Sequence, residues 1–350
     1  MTTRILRAAA AIAVAIPSLS AQTTTTIVVD KDTALYESAT GTLANGGGTI
    51  LFAGLTGQPA IRRVLLHFDV ASAIPAGARV LSARLEVTVI SSTLPNPVAT
   101  AHRLTQSWSE GTTVAGGGQG SGGTAQAGDA TWLHTDYPNA FWNTPGGDFA
   151  AQPSFSMPLA IGSSVSSPLP GLIDDVQDWL DNPGNNFGWL VKGDETVPGG
   201  AVRMHSRESA NTTNHSRLIV SYLTPGEVGP WGIGCPIGAS TMNLALTGVA
   251  SGGTTIPINY SGAPLSSIGA TFFSLDLTPA GVELSPSCSA YLGGTLVPGT
   301  TFLTDGSGNG AASFTVPAGF PGYLVVCQGA VLTGTSIVFA LSNAGVMLTQ

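Results

Sequence analysis

The chain reads as all-β, in two units, with one short helix. Three observations carry that expectation. Forty-six glycines and twenty-three prolines among 350 residues supply the tight turns that many short strands need. Apolar and polar side chains alternate with a period of two, which sets one face of a strand against a core. Only one stretch, LIDDVQDWL, carries the spacing of a helix.

The first twenty-one residues read as a targeting signal. Arg4 and Arg7 precede the apolar run AAAAIAVAI, and Pro17 to Ala21 ends in small residues. That is the layout of a secretory signal peptide. The run is too short to span a bilayer, and no other segment approaches that length. The expected product is exported, with no membrane span.

Residues 22–223 form the expected first unit. In SARLEVTVI, Ala83, Leu85, Val87 and Val89 face one way, and Ser82, Arg84, Glu86 and Thr88 the other. RVLLHF sets Val64, Leu66 and Phe68 against Arg63, Leu65 and His67, and RLIVSY puts Leu218, Val220 and Tyr222 on one side. The stretch AGGGQGSGG, residues 115–123, has six glycines in nine and predicts a flexible surface loop.

Six of the twenty carboxylates fall between Asp174 and Glu195. Leu172, Ile173, Val176, Trp179 and Leu180 share one helix face, which leaves Asp174, Asp175 and Asp178 on a solvated one. Asn182-Pro183-Gly184 stops the helix. FGWLVKG is then a strand, with Asp194 and Glu195 in the turn after it. The cluster is expected to be mostly the wet side of a folded element.

Composition breaks near residue 225. All Lys, Arg and His precede it, and only Glu227, Asp276, Glu283 and Asp305 carry charge after it. Residues 224–232, TPGEVGPWG, read as a linker. Residues 233–350 carry the strands TMNLALTGV, TFFSLDL, ASFTV, YLVVCQ, SIVFAL and GVMLT, which suggest a second, smaller β-sandwich. Of three cysteines, Cys327 lies inside an apolar strand, where a free thiol acts as a small hydrophobe. Cys235 and Cys288 are therefore the expected disulfide, the alternative being three reduced, buried thiols.

Signal removal takes two arginines and no acid, leaving ten basic residues against twenty acidic ones. That balance disfavours nucleic acid as a partner, because phosphate recognition needs clustered Lys and Arg. No Gly-x-Ser-x-Gly elbow, phosphate-binding loop or zinc-ligand spacing occurs, and the five histidines are scattered. A non-catalytic role is expected.

The candidate site is a group of cations on strand-like segments. AVRMHSRES sets Arg203, His205 and Arg207 on one face, and Arg62, Arg63, His67 and Arg217 add further cations. In an acidic chain these could receive a carboxylated polymer. Trp132, Trp142 and Trp108 could stack on sugar rings. In the alternative, the arginines pair with Asp69, Asp148 and Glu208 to brace the sandwich, and the tryptophans fill its ends. Asp30 and Asp32 in VVDKDTALYE are candidates for a structural calcium site of oxygen ligands.

KDTALYESATGTLANGGGTILFAG, RRVLLHFDVASAIPAGARV, HRLTQSWSEGT, GDATWLHT, FWNTPGGDF, DDVQDWLDNPGNNFGWLVKGDE, HSRESAN and RLIVSY follow one another as in DNRLRE-type, disaggregatase-related domains. Residues 30–222 thus resemble that family, which is akin to carbohydrate-binding modules that include alginate binders. The resemblance implies a jelly-roll-like β-sandwich on exported bacterial proteins, often beside polysaccharide-active modules; it names a module and not a job. HSRE keeps Ser206, Arg207 and Glu208 of the family motif, whereas His205 stands where an acidic or polar residue is common. GIGCPIG, the later cysteine and a Gln-bearing strand resemble C-terminal domains of exported bacterial proteins. The expected function is binding of a uronate-rich polysaccharide by the first unit; the alternative is a structural or adhesive surface protein in which the sandwich is a spacer.

Overall fold

A computed structural model describes residues 22–332 and 339–350. The signal-peptide reading, and residues 336–338 of SIVFAL, lie outside the described residues. The described chain is an all-β sandwich protein of curled antiparallel sheets, with little helix.

The first sheet runs Thr23–Val28, Arg217–Leu223, Arg79–Ser91, Val202–His205, Ile50–Leu55, with Gly162–Val165 also paired to Arg79–Ser91. The second contains Lys31–Tyr36, Ile61–His67, Trp189–Lys192, Val98–Arg103 and Phe155–Pro158. The hairpin of Ile50–Leu55 with Ile61–His67 joins them through Gly54–Arg62 and Leu55–Ile61 pairings. Alternation sets the register, since a slip of one residue would turn the apolar set to water. Ala83, Leu85, Val87 and Val89 are all buried in the central core, as are Val64, Leu66, Leu218 and Val220.

The helix runs Pro170–Asp181 and buries Leu172, Val176, Trp179 and Leu180. Trp179 lies 4.5 Å from Trp189 between ring centres, and Phe155 meets Trp189 edge-on at 5.3 Å. Asp175 departs from the expectation of a wet face. It is buried, accepts a 2.7 Å hydrogen bond from the Trp189 indole, and faces Arg103 at 3.8 Å. Asp178 pairs with the same arginine. A second helix, the single turn Val70–Ala73, is capped by Asp69, which accepts from the Ser72 N–H. Four residues are too few to show a helical period in sequence.

The larger surprise is a third layer. Leu35, Leu65 and Leu190 sit on neighbouring strands of the second sheet and point away from the central core. The long segment between residues 104 and 150 covers them, forming a separate apolar cluster with Leu104, Trp108, Ala130, Trp132 and Trp142. Burying each such side chain is worth about 2 kcal/mol, so this face of the sheet is not a wet one.

The glycine-rich stretch 115–123 is also tied down. The Gly120 carbonyl accepts from Arg62, the Gln119 carbonyl accepts from the Tyr36 hydroxyl, and the Gln119 side chain receives the Ile50 N–H. Gly123–Thr124 then pairs with Leu43–Ala44.

Residues 224–232 contain a strand where a linker was expected. Val228–Trp231 pairs with Phe339–Leu348 and opens a five-stranded sheet completed by Leu324–Leu332, Ile268–Ser274 and Val297–Leu303. Facing it are Asn243–Leu246, Thr255–Ser261 and Gly310–Thr315. Residues 345–348 of GVMLT, read as a separate strand, are part of Phe339–Leu348. Leu81 and Leu223 of the first unit share an apolar cluster with Tyr291, Leu324, Val326 and Val346 of the second.

Cys235 and Cys288 form the expected disulfide. Cys327 is free and fully buried, and burial pushes its thiol pKa up to about 12. It is a packing group. Among the described residues no helix is long and apolar enough to cross a membrane.

Candidate functional site

The expected cations are distributed among different tasks. Arg63 makes a two-pronged pair with Glu195, at 2.8 and 3.1 Å, and donates to the Gly146 carbonyl at 2.8 Å. Its guanidinium stacks over Trp132 and Phe149. Glu195 is thereby a bracing partner in place of a free turn acid. His67 contacts the Asp30 carboxylate at 2.7 Å. Burial opposes charge on Asp30, but the His67 hydrogen bond and charge, with a backbone N–H and Lys31, together outweigh it and hold the carboxyl below its usual range. Arg217 stands beside Glu86 and donates to the Thr213 carbonyl. His205 lies near Asn214 and His215, and burial first, then His215, lowers its pKa.

Trp132 and Trp142 do not offer ring faces to solvent, and neither does Trp108. All three are buried in the layer that covers the second sheet, with the Trp142 and Trp108 indoles donating to the Thr131 and Phe187 carbonyls. Their loop setting in the sequence concealed this, because the leucines they cover come from strands far along the chain. Asp69 and Asp148, expected partners of arginine, instead accept backbone N–H groups, from Ser72 and from Asn143 and Thr144.

Arg62 and Arg203 are brought together. They line a groove of about 480 Å³ with Phe52, Gln58, Ser121 and Glu37. Arg62 is nearly buried, donates to the Gly120 and Ile61 carbonyls, and stacks on Tyr36. Arg203 differs. Among the described residues it has no carboxylate partner and donates no hydrogen bond, and its Nε has no acceptor. The guanidinium sits 5.8 Å from the centre of the Phe52 ring. Glu37, on the same wall, is held by the Ile61 N–H at 2.6 Å.

Arg207 belongs to a different constellation. Its Nη1 donates to Glu208 at 2.7 Å and to Glu110 at 3.3 Å, while its backbone N–H donates to Asp32 Oδ2 at 2.8 Å. Glu110 also accepts the Asp32 N–H at 2.7 Å. One carboxylate oxygen from each of Asp32, Glu110 and Glu208 lies within 4.8 Å of the others. Burial, then the Glu208 charge, raises the Asp32 pKa well above the ordinary range, and burial also raises that of Glu110. Burial opposes charge on Arg207, yet the surrounding carboxylates outweigh it and raise its pKa.

Asp30 does not join Asp32. It occupies the bend between Thr23–Val28 and Lys31–Tyr36, so strand alternation does not extend to it. Glu110 and Glu208 were the missed members, although both stand in motifs already conspicuous in the sequence, QSWSEGT and HSRES. Gly111 lets the Glu110 loop close: at φ +79° it approaches Asp129 so tightly that a Cβ would fall 1.8 Å from that carboxylate.

No family model matches the chain, and no curated protein matches it in sequence.

Proposed function

We propose that the first sandwich binds an acidic polysaccharide, of uronate type, in the groove lined by Arg203 and Arg62. The observation that carries the reading is Arg203, an arginine on a groove wall with no carboxylate partner among the described residues. A planar guanidinium takes a carboxylate in two parallel hydrogen bonds. Two arginines against one glutamate make the groove locally positive in a chain of net charge −8. The DNRLRE-type resemblance supports the same ligand class. Export, suggested by the N-terminal pattern, agrees with a disulfide, which persists in oxidising compartments.

The test is affinity electrophoresis in gels containing alginate, pectate or a neutral glucan. Retardation by the uronate gels alone is expected, with a loss of about tenfold in affinity for Arg203→Ala, the scale of one charged hydrogen-bonding group. Equal mobility in every gel would overturn the reading.

A second reading, a structural spacer, is favoured by the bracing of Arg63, Arg207 and His67 and by the buried tryptophans. It predicts no retardation and an unchanged Arg203→Ala variant.

A further inference from the structure

We infer that Asp32, Glu110 and Glu208 form a site for one divalent cation that prefers oxygen ligands, calcium above others. The three residues come from the strand Lys31–Tyr36, the loop that follows Val98–Arg103, and the turn that follows Val202–His205. Nothing in local sequence brings them together; the fold does.

Two carboxylate oxygens of this cluster are left over. Asp32 Oδ1 and Glu208 Oε2 are shut off from solvent and accept no hydrogen bond, and Asp32 as a whole is 0% exposed. Buried polar atoms without partners are rare, because each forfeits its hydration. Their neighbours are already occupied: Asp32 Oδ2, both Glu110 oxygens and Glu208 Oε1 hold N–H donors. These two oxygens are the ones a bound cation would engage.

Charge narrows the choice. Three carboxylates meet one guanidinium, that of Arg207, with Lys31 the other nearby cation, an excess of acidic groups that a divalent cation offsets. Ligand type narrows it again. The set is all oxygen, without cysteine or histidine, which suits calcium or magnesium better than zinc. Oxygens within 4.8 Å of one another sit close to the spacing that calcium–oxygen bonds of about 2.3–2.6 Å need. Magnesium demands shorter bonds in a near-ideal octahedron, which three carboxylates pinned by backbone N–H groups and the Arg207 guanidinium do not readily give.

A bound ion would clamp the start of the second sheet to the loop layer and to the SRE turn. None of the three residues lines the Arg203 groove, so the two readings stand apart.

The test uses the purified protein, stripped with chelator and scanned calorimetrically with calcium, magnesium or neither. Calcium at about 100 times its dissociation constant is expected to raise Tm by roughly 5–10 °C, with a smaller response to magnesium. Glu208→Gln should lose that response, whereas Arg203→Ala should keep it. Terbium offers a direct check on the unmodified protein: Trp108 lies two residues from Glu110, so sensitised emission that saturates at one ion per chain and is displaced by calcium is expected. A Tm indifferent to calcium together with no stoichiometric terbium signal would overturn the site, as would a full calcium response in Glu208→Gln.

Discussion

The two sandwiches of this chain are held together by different means. The first carries every lysine, arginine and histidine of the described residues and uses several of them internally, in pairs such as Arg63–Glu195 and Arg103–Asp178. Its second sheet is covered on both faces, by the central core and by the tryptophan-bearing loop layer. The second sandwich has no basic side chain at all. It relies on an apolar core, a disulfide, and buried amides: Gln328 donates to the Ser289 and Ser342 carbonyls and accepts the Tyr291 N–H. Thirteen of the twenty exposed large hydrophobic side chains among the described residues also belong to it. A layer of loops lets one sheet bury a second face; without such a layer, apolar surface stays outside and a covalent link helps hold the fold.

The disulfide offers the largest test of that contrast. Cys235 and Cys288 are 53 residues apart, and replacing both with serine is expected to cost about 4 kcal/mol. Five of the six tryptophans lie in the first unit, so denaturant unfolding followed by circular dichroism should shift while the tryptophan fluorescence transition holds its midpoint. A matching shift in fluorescence would mean that the two units unfold as one through the shared Leu81–Leu223 cluster.

Arg63→Ala should cost about 2 kcal/mol, because it leaves Glu195, half-buried, with only the looser Lys192 contact at 3.5 Å. Here the fluorescence transition is the one that moves. An unchanged midpoint would show that the ion pairs of the first sandwich are decorative and its layers sufficient.

The smallest effect concerns pH. The Arg103 hydrogen bond holds the Asp178 carboxyl below its ordinary value. A depressed folded-state pKa contributes stability above the unfolded value, near 4, and that contribution disappears as pH falls through the folded one. Tm of the native protein should therefore decline below about pH 4 more steeply than that of Asp178→Asn. Parallel curves would remove Asp178 from the acid response.

Much of the strand layout was legible because local alternation carries it. Ala83, Leu85, Val87 and Val89 needed only the pleat to be assigned to the core. The helix was legible for the same reason, with a 3.6 period. The functional residues were less so. Arg203 and Arg207 share a strand face in sequence, yet one lines a groove and the other is enclosed by carboxylates from remote loops. Strand periodicity states which side a residue takes; it is silent on what covers that side.

By itself, the sequence determined the all-β class, the helix, the break in composition near residue 225 and the Cys235–Cys288 bridge. Each follows from local backbone preference, side-chain period or the count of thiols. Only the tertiary structure decided that Trp132 and Trp142 fill a core, that Arg203 has no carboxylate partner among the described residues, and that Asp32, Glu110 and Glu208 meet. Those outcomes depend on contacts between segments up to 176 residues apart, as between Asp32 and Glu208. Burial and electrostatic partnership are properties of such contacts, and no local pattern encodes them.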